Sequence, residues 1–143
     1  MTSHHLTLAF NDFQADLVFT GDWSLYHLAE SLIEALGFDF DHAFEFCDNW
    51  KRPYSSKERY SVFADAGMGN ENDVDSNERG VKATSIGEVF TKKRKMGFHF
   101  DFGDDWVFLV TCTDVQESSA KRKSRKITAR RGQPPVQYEK EEE

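Results

Sequence analysis

Acidic and imidazole side chains are concentrated in two short segments of the 143-residue chain. The first segment carries Asp39, Asp41, His42 and Glu45, and the second carries His99, Asp101, Asp104 and Asp105. Carboxylates and imidazoles can bind zinc, manganese or a harder ion, and they can also act as a general acid and base. If the two segments lie on neighbouring strands, these groups converge, and the chain has the residues of a metal-dependent hydrolytic enzyme.

A structural interpretation of these residues competes with the catalytic one, and we favour it. Their spacing matches no named metal motif. Asp101 and Asp104 flank Gly103, and an Asp beside a turn commonly accepts hydrogen bonds from the local backbone. His42 lies in an aromatic pattern, where a histidine is usually satisfied by one hydrogen bond. We therefore expect no metal or other cofactor, and the ligands if a metal is present are His42, His99, Asp101 and Asp104.

The elements that must position these residues begin with a hairpin and a helix. Residues 6–10 and 16–19 predict two short N-terminal strands. Apolar residues at helical spacing predict a helix over Ser24–Leu36. Asp22 or Ser24 can cap its start, and Gly37 stands where a left-handed residue ends a helix.

Aromatic segments predict the strands that follow. Phe40–Cys47 alternates in the manner of a strand, and Tyr60–Ala64 predicts another. Gly97–Phe102, with its three Phe side chains on one face, and Trp106–Val115 predict a hairpin around Gly103–Asp105, with a positive φ at Gly103. The second strand of this hairpin is apolar on both faces, so we expect it to be covered on both sides and Trp106 to be buried in the core.

The order of these elements indicates an α+β fold. We expect a single domain with a mixed, mostly antiparallel sheet, one long helix packed on a face, an aromatic core and a β-grasp-like start. Ser85 and Glu88 form a capping-box pattern that predicts a second, short helix. The domain is expected to span residues 1–138, followed by a charged tail over residues 139–143.

Positive charge is concentrated close to the end of the sequence. The net charge of the chain is −7, with −11 over residues 1–120. The basic segment, residues 121–131, contains no acid. Its charged members are Lys121, Arg122, Lys123, Arg125, Lys126, Arg130 and Arg131. Such asymmetry can signal nucleic-acid contact, but the acidic remainder repels phosphate. We therefore favour a basic strand that pairs with the protein's own acids or meets a protein partner, and leave open a weak nucleic-acid contact.

The composition argues against several classes of protein. No apolar run approaches the length that spans a membrane, and the first residues lack the pattern of a signal peptide. Two cysteines, Cys47 and Cys112, are too few for a disulfide framework. These features predict a cytoplasmic protein that does not associate with membranes.

Three segments resemble the plasmid pRiA4b ORF-3-like family, whose members are also described as transposon passenger (TnpR-like) proteins. Residues 24–46 resemble the family's helix, aromatic turn and Asp-His-x-Phe/Leu-x-Phe strand. FHFDFGDDW, residues 98–106, resembles the family's aromatic-x-aromatic-Asp-Phe/Tyr-Gly-Asp-x-Trp motif. GQPPVQY, residues 132–138, is similar to its closing motif.

The resemblance implies a link with mobile DNA but no particular reaction. Many members carry a Trp-Arg pair after the first strand, and the corresponding ADLVFTGDW, residues 15–23, has no such pair. We therefore expect a non-enzymatic binding or accessory module that uses a sheet face or the basic segment, with the metal-dependent hydrolytic enzyme as the alternative. The candidate binding residues are Asp41, His42, His99, Asp101, Asp104, Trp106 and Tyr138.

Overall fold

The structure is a computed structural model, and it describes residues 1–67 and 77–138. Within these ranges the strands are β1 (Thr2–Phe10), β2 (Phe13–Thr20), β3 (Phe44–Cys47), β4 (Glu58–Ser61), β5 (Asn77–Gly80), β6 (Lys95–Phe100), β7 (Trp106–Glu117) and β8 (Ser124–Arg131). The helices are α1 (Leu25–Leu36), α2 (Val62–Asp65) and α3 (Ile86–Val89), with a 3-10 turn at Pro53–Ser55.

The eight strands form one sheet in the order β5-β4-β3-β6-β7-β1-β2-β8. β4 and β5 run parallel, and the other neighbouring pairs run antiparallel. The expected α+β class and the mixed, mostly antiparallel sheet are therefore confirmed. β8 is the last strand of the order, so it pairs with β2 on one side and forms an edge of the sheet.

The predicted hairpin and long helix are both present. The helix begins after Ser24, whose side-chain oxygen accepts a hydrogen bond from the backbone N–H of His27. It ends at Gly37, which has a φ of +73°, a conformation that costs glycine little because it has no Cβ. The apolar stripe of α1 is buried and belongs to the same hydrophobic core as the sheet residues.

The core is aromatic, as the thirteen Phe residues of the sequence predict. Phe46 and Phe98 face each other across β3 and β6 and stack with their ring centroids 5.1 Å apart. Phe44, Phe100 and Phe108 continue this surface, and each is no more than 1% exposed. Aromatic packing of this kind contributes beyond the burial of area alone, so these rings define the inner face of the sheet.

Two predicted strands are shorter than expected. β3 begins at Phe44, and residues 38–43 form a loop in which Phe40 is 37% exposed. The strand predicted over Tyr60–Ala64 ends at Ser61. The Ser61 side chain caps α2 by accepting a hydrogen bond from the N–H of Ala64. The alternation of residue types predicts strands that are too long, because it continues into the loop before β3 and into the helix α2 after β4.

The hairpin between β6 and β7 differs in detail from the prediction. The residues with positive φ are Asp101, at +64°, and Asp105, at +52°, so the prediction for Gly103 is wrong. Asp tolerates this region because its side chain can bond the local backbone. Phe102 leaves the face of Phe98 and Phe100 because the strand ends at Phe100.

β7 is buried on one face rather than on both. Phe108 and Val110 are fully buried, whereas Val107 and Leu109 on the opposite face are half-buried. Trp106, which was expected in the core, is also half-buried, because it packs against the edge of the core beside Phe10 and Phe38.

Several expectations remain at the level of predictions. The hairpin-then-helix order is observed, but the β-grasp likeness and the domain span of residues 1–138 stay predictions. The charged tail, residues 139–143, lies outside the described residues. In the described part of the chain, no helix combines the length and the apolar character that crossing a bilayer requires.

Candidate functional site

Four of the predicted site residues meet at one end of the sheet. The Tyr138 hydroxyl donates a hydrogen bond to Asp41 Oδ2 at 2.6 Å and lies 2.8 Å from Nε2 of His42. Nε2 of His42 also lies 3.3 Å from Oδ2 of Asp101. The four side chains come from three distant parts of the sequence, and we call them, together with Gln137, the C-terminal clasp.

Gln137 completes the clasp by bonding the loop before β3. Its Oε1 accepts a hydrogen bond from the backbone N–H of Asp39 at 2.7 Å, and its Nε2 donates to the backbone carbonyl of Asp39 at 3.1 Å. The same amide also donates to Asp41 Oδ1. An amide side chain satisfies both backbone groups of one residue in this way, so the segment after β8 is tied to the loop that carries His42.

Asp101 holds the turn between β6 and β7 as well as contacting His42. Its Oδ1 accepts hydrogen bonds from the backbone N–H groups of Gly103 and Asp104, at 3.1 and 3.3 Å. Its own N–H donates to the carbonyl of Ala43. Since one carboxylate oxygen is used by the turn, the structural role predicted for Asp101 accounts for most of its contacts.

His99 belongs to a separate network on the outer face of the sheet. Its ring is fully buried, with Nε2 2.7 Å from Asp105 Oδ1 and Nδ1 3.5 Å from Glu45 Oε1. Tyr54 donates a hydrogen bond to the same oxygen of Asp105 at 2.8 Å. Glu45 is itself 4% exposed and lies 3.8 Å from the guanidinium of Arg59. These five residues form the His99 network.

The four proposed metal ligands are therefore not brought together. His42 and Asp101 lie in the clasp, His99 lies in its own network, and the exposed Asp104 contributes a backbone N–H to the turn. Across residues 1–67 and 77–138, no group of three or more His, Cys, Asp or Glu side chains is arranged to hold a metal ion.

Ionisation in the clasp disfavours a reactive phenolate. The hydrogen bond to Asp41, followed by burial and by the nearby Asp41 and Asp101 carboxylates, raises the pKa of Tyr138 to about 12. The same hydrogen bond from Tyr138 lowers the pKa of Asp41. A nucleophilic tyrosine needs its pKa lowered by a cation or a neighbouring base, so this environment opposes a tyrosine-based group transfer.

The His99 network favours the charged form of both of its central partners. Burial acts to lower the pKa of His99, but the contacts with Glu45 and Asp105 outweigh it and the pKa is raised. The pKa of Asp105 is lowered by the hydrogen bonds from Tyr54 and His99. An imidazolium between two carboxylates is the form that these contacts stabilise.

Trp106 contributes packing rather than a polar contact. Its ring stacks on Phe108 with an interplanar angle of 4°. Its Nε1 is buried and has no hydrogen-bond partner among the described residues. Trp106 therefore belongs to the border of the core. It is part of neither the clasp nor the His99 network.

The basic segment consists of the edge strand β8 and the three residues before it. Arg125 donates a hydrogen bond to the carbonyl of His27 at 2.9 Å and lies 3.3 Å from Glu30. Arg130 donates to the carbonyl of Ala35 at 3.2 Å. These contacts connect β8 to α1, so two of the seven basic residues serve the fold directly.

The remaining basic side chains divide into two groups. Arg131 pairs with Asp16 at 3.0 Å, and Lys123 donates to the carbonyl of Asp22. Lys121, Arg122 and Lys126 are exposed and form no ion pair with any described residue. Lys126 also lines a cleft of about 430 Å³ between α1 and β8. It is lined by Ser31, Glu34, Arg125, Lys126, Ile127 and Arg130.

Some participants were not identified from the sequence. Gln137 belongs to the closing motif, and its position in the sequence does not indicate which loop its side chain bonds. Tyr54 lies in a polar loop with no motif around it. Glu45 and Asp105 belong to the two acidic segments, but their convergence on His99 depends on the pairing of β3 with β6.

The fold and these sites define an α+β protein with a closing C-terminal motif packed on the loop before β3. The chain belongs to the plasmid pRiA4b ORF-3-like family, whose model matches residues 12–140. A solved structure with a similar fold is a protein of unknown function, MM3350, from Methanosarcina mazei Go1. The two share 15% sequence identity with a TM-score of 0.60, over 87% of this chain and 68% of that one. No curated protein gives a significant match.

Proposed function

We propose that this protein is a non-catalytic binding module that docks an extended, acidic segment of another protein along β8. The observation that carries the proposal is the position of β8, which is the edge of the sheet. Lys126 on this strand and Lys121 and Arg122 just before it are exposed, and none of the three forms an ion pair with a described residue. An edge strand can accept a further strand through its free backbone groups.

The basic side chains on and just before β8 indicate an acidic partner. Lys and Arg on an edge strand oppose pairing with a second copy of the same edge, because like charges repel. A segment rich in Asp or Glu would instead complement Lys121, Arg122 and Lys126. The adjacent cleft beside α1 offers room for alternate side chains of an added strand.

A polypeptide fits this edge better than a nucleic acid does. Only a polypeptide can use both the backbone groups of the edge and its charges. Double-stranded DNA also carries about one charge per 1.7 Å, and the net charge of −11 on residues 1–120 opposes its approach. Weak nucleic-acid contact with the basic segment is therefore the secondary expectation.

In this arrangement α1 packs on the core face of the sheet beside β8. Its buried stripe shares the hydrophobic core with the sheet, and the hydrogen bonds from Arg125 and Arg130 to helix carbonyls support this position. The helix would then hold β8 in place without covering its outer edge.

An enzymatic function has less support than binding. His42 and Asp101 lie in the clasp, His99 lies in its own network and Asp104 is exposed in the turn, and one Asp101 carboxylate oxygen is already used by the turn. Asp41, His42 and Tyr138 bond one another and the closing motif, which gives the clasp a structural role. We therefore assign the clasp to fixing the end of β8.

The cellular setting belongs to the same proposal. The family name refers to a plasmid reading frame, which supports an accessory role for a mobile element. Cys47 and Cys112 are both free and buried, and burial raises the pKa of Cys47 to about 11. Unreactive thiols of this kind fit a reducing compartment such as the cytoplasm.

A binding titration tests the proposal. Fluorescence anisotropy with a labelled peptide of alternating Glu and Val would be compared with labelled duplex and single-stranded DNA, at low and moderate salt. We expect the peptide to bind and the triple variant Lys121→Gln, Arg122→Gln, Lys126→Gln to weaken it about tenfold or more. Amide hydrogen exchange should slow within β8 when the peptide is bound, because its free edge becomes paired.

A matched control separates the edge strand from general charge. The triple variant Lys51→Gln, Lys57→Gln, Lys95→Gln removes the same charge from exposed positions outside the basic segment, and it should leave peptide affinity unchanged. Equal loss in both triple variants, or no peptide binding at low salt, would contradict the proposal. DNA binding that is sub-micromolar at moderate salt would replace the protein partner with nucleic acid.

A further inference from the structure

A second cleft lies at the opposite end of β1 from the β1–β2 turn. It has a volume of about 630 Å³, within the range of small-molecule sites. Its walls come from the start of β1, the residues after β2, α3 and the residue before β8. The lining residues are Met1, Thr2, His4, Gly21, Asp22, Gly87 and Lys123.

His4 lines this cleft with a largely buried imidazole. The residue is 8% exposed, and its Nδ1 is buried without a hydrogen-bond partner among the described residues. Burial, and then the charge of His5, lowers the pKa of His4, so the ring is neutral near pH 7 and offers one donor and one acceptor. Nδ1 is sealed from solvent, whereas the ring edge with Cε1 and Nε2 lies 3.5 and 3.6 Å from the position of a Cβ on Gly87. A ligand in the cleft can therefore form a hydrogen bond with Nε2.

One cation and one anion stand at the rim of the same cleft. The Lys123 ammonium donates to the backbone carbonyl of Asp22 at 3.3 Å and lies 4.6 Å from the centroid of the Trp23 ring. These contacts fix its position while leaving further N–H donors available. Neither Lys123 nor the Asp22 carboxylate forms an ion pair with a described residue. A lysine and an aspartate therefore line the same cleft without pairing with each other.

Two glycines keep the cleft open. A Cβ at Gly87 would lie 3.5 Å from His4 Cε1, at ordinary contact distance, so a longer side chain there would extend over the imidazole. Gly21 has a φ of +94°, and a Cβ on it would lie 2.5 Å from Lys123 Cβ. Replacement of Gly21 would therefore strain the backbone and displace the lysine, which makes Gly87 the better position for testing the space.

We propose that this cleft binds a small zwitterion of the free α-amino-acid class. Its carboxylate pairs with Lys123, its ammonium group pairs with Asp22, and a polar or apolar side chain lies against His4 and Met1. A ligand with a single charge satisfies one of the two rim residues and leaves the other unpaired, so both charges are needed for tight binding. This site is separate from the edge of β8 and does not depend on the function proposed for that strand.

NMR titration of the whole chain tests the site. The probes are glycine, serine, glutamine and leucine, together with isoamylamine and isocaproate, which are leucine without its carboxylate and without its ammonium group. We expect at least one amino acid to shift the His4 ring signals and the Gly87 amide, with a dissociation constant of about 1 mM or below. The two singly charged analogues should bind about tenfold more weakly than leucine if leucine is the preferred probe.

Variants locate the binding and separate it from folding. Lys123→Met, Asp22→Asn and the cleft-filling Gly87→Leu should each weaken binding about tenfold or more, whereas Lys121→Met should not. His4→Phe should abolish the ring contact while raising the thermal midpoint of the free protein, because it removes an unpartnered polar atom. Absence of shifts with every probe, equal binding of isoamylamine or isocaproate, or unchanged binding by Lys123→Met would overturn the proposal.

Discussion

Tyr138 donates a hydrogen bond of 2.6 Å to Asp41 across a separation of 97 residues in the chain. This contact is the centre of the C-terminal clasp, and it explains why the closing motif lies against the loop that carries His42. The bond also holds the pKa of Asp41 below its usual value. The pKa of the Asp41 carboxylate therefore reports whether the clasp is formed.

The first prediction uses that carboxylate as a reporter. Tyr138→Phe removes the hydroxyl, so the pKa of Asp41 should rise toward its ordinary value. Carbon-detected NMR titration of the Asp side chains measures the change. Tyr54→Phe is the matched control: it should raise the pKa of Asp105, whose carboxylate accepts from Tyr54, and leave Asp41 unchanged. If Asp41 titrates identically with and without the Tyr138 hydroxyl, the clasp geometry is wrong.

The second prediction concerns pH and stability through His99. Because the folded-state pKa of His99 is raised above 6.5, its contribution is complete below the pKa of the unfolded chain and is lost as pH rises through the folded value. The free energy of unfolding should therefore fall as pH increases above about 6.5. Urea melts at several pH values measure this slope.

Variants of the same network separate its two parts. His99→Gln should flatten the slope above neutrality and cost about 1–3 kcal/mol at pH 6, because it leaves Glu45 buried with a weaker partner. Asp105→Asn keeps the shape but removes one carboxylate, so it should reduce the slope without abolishing it. A wild-type protein whose stability rises between pH 6.5 and 8, or a slope unaffected by His99→Gln, would contradict this account.

The third prediction ranks two neighbouring aromatics of β7. Phe108 is fully buried, so Phe108→Ala should cost about 3–5 kcal/mol in free energy of unfolding. Trp106 is half-buried at the border of the core, so Trp106→Ala should cost less than Phe108→Ala. Urea denaturation of the two variants decides the order. A larger loss for Trp106→Ala would place its ring in the centre of the core.

The fourth prediction concerns the turn between β6 and β7. Asp101 combines a φ of +64° with two hydrogen bonds to the turn backbone, so Asp101→Ala should cost about 1–3 kcal/mol. Gly103 has no positive φ, and its added Cβ would approach only the Asp101 side chain, at 3.3 Å. Gly103→Ala should therefore cost below about 1 kcal/mol. A larger loss of unfolding free energy for Gly103→Ala than for Asp101→Ala would show that the turn depends on the glycine instead.

Features set by near neighbours in the chain were predictable from the sequence. α1 follows from the spacing of its apolar residues, the Ser24 cap and the left-handed Gly37, and all three are present. The capping box of Ser85 and Glu88 is also confirmed, with both reciprocal hydrogen bonds formed. In each case the interacting groups lie within one or two helical turns, so their energetics are local.

Residue patterns that continue past the end of a strand predict the wrong boundary for it. The alternation of residues 40–47 extends beyond β3, and the three Phe side chains of residues 98–102 do not share one face because β6 ends at Phe100. A local pattern carries no information about where hydrogen bonding to the neighbouring strand stops, since that depends on the partner.

The sequence by itself determined the α+β class, the aromatic core, the long helix and the family. Only the tertiary structure decided that His42 contacts Tyr138 while His99 contacts Asp105, and that most of the basic segment forms the edge strand of the sheet. Strand order and the closing of distant segments depend on which surfaces pack together, and contacts between residues about a hundred positions apart leave no periodic trace in the chain. The sheet therefore places the acidic and imidazole side chains of the two segments in two separate networks.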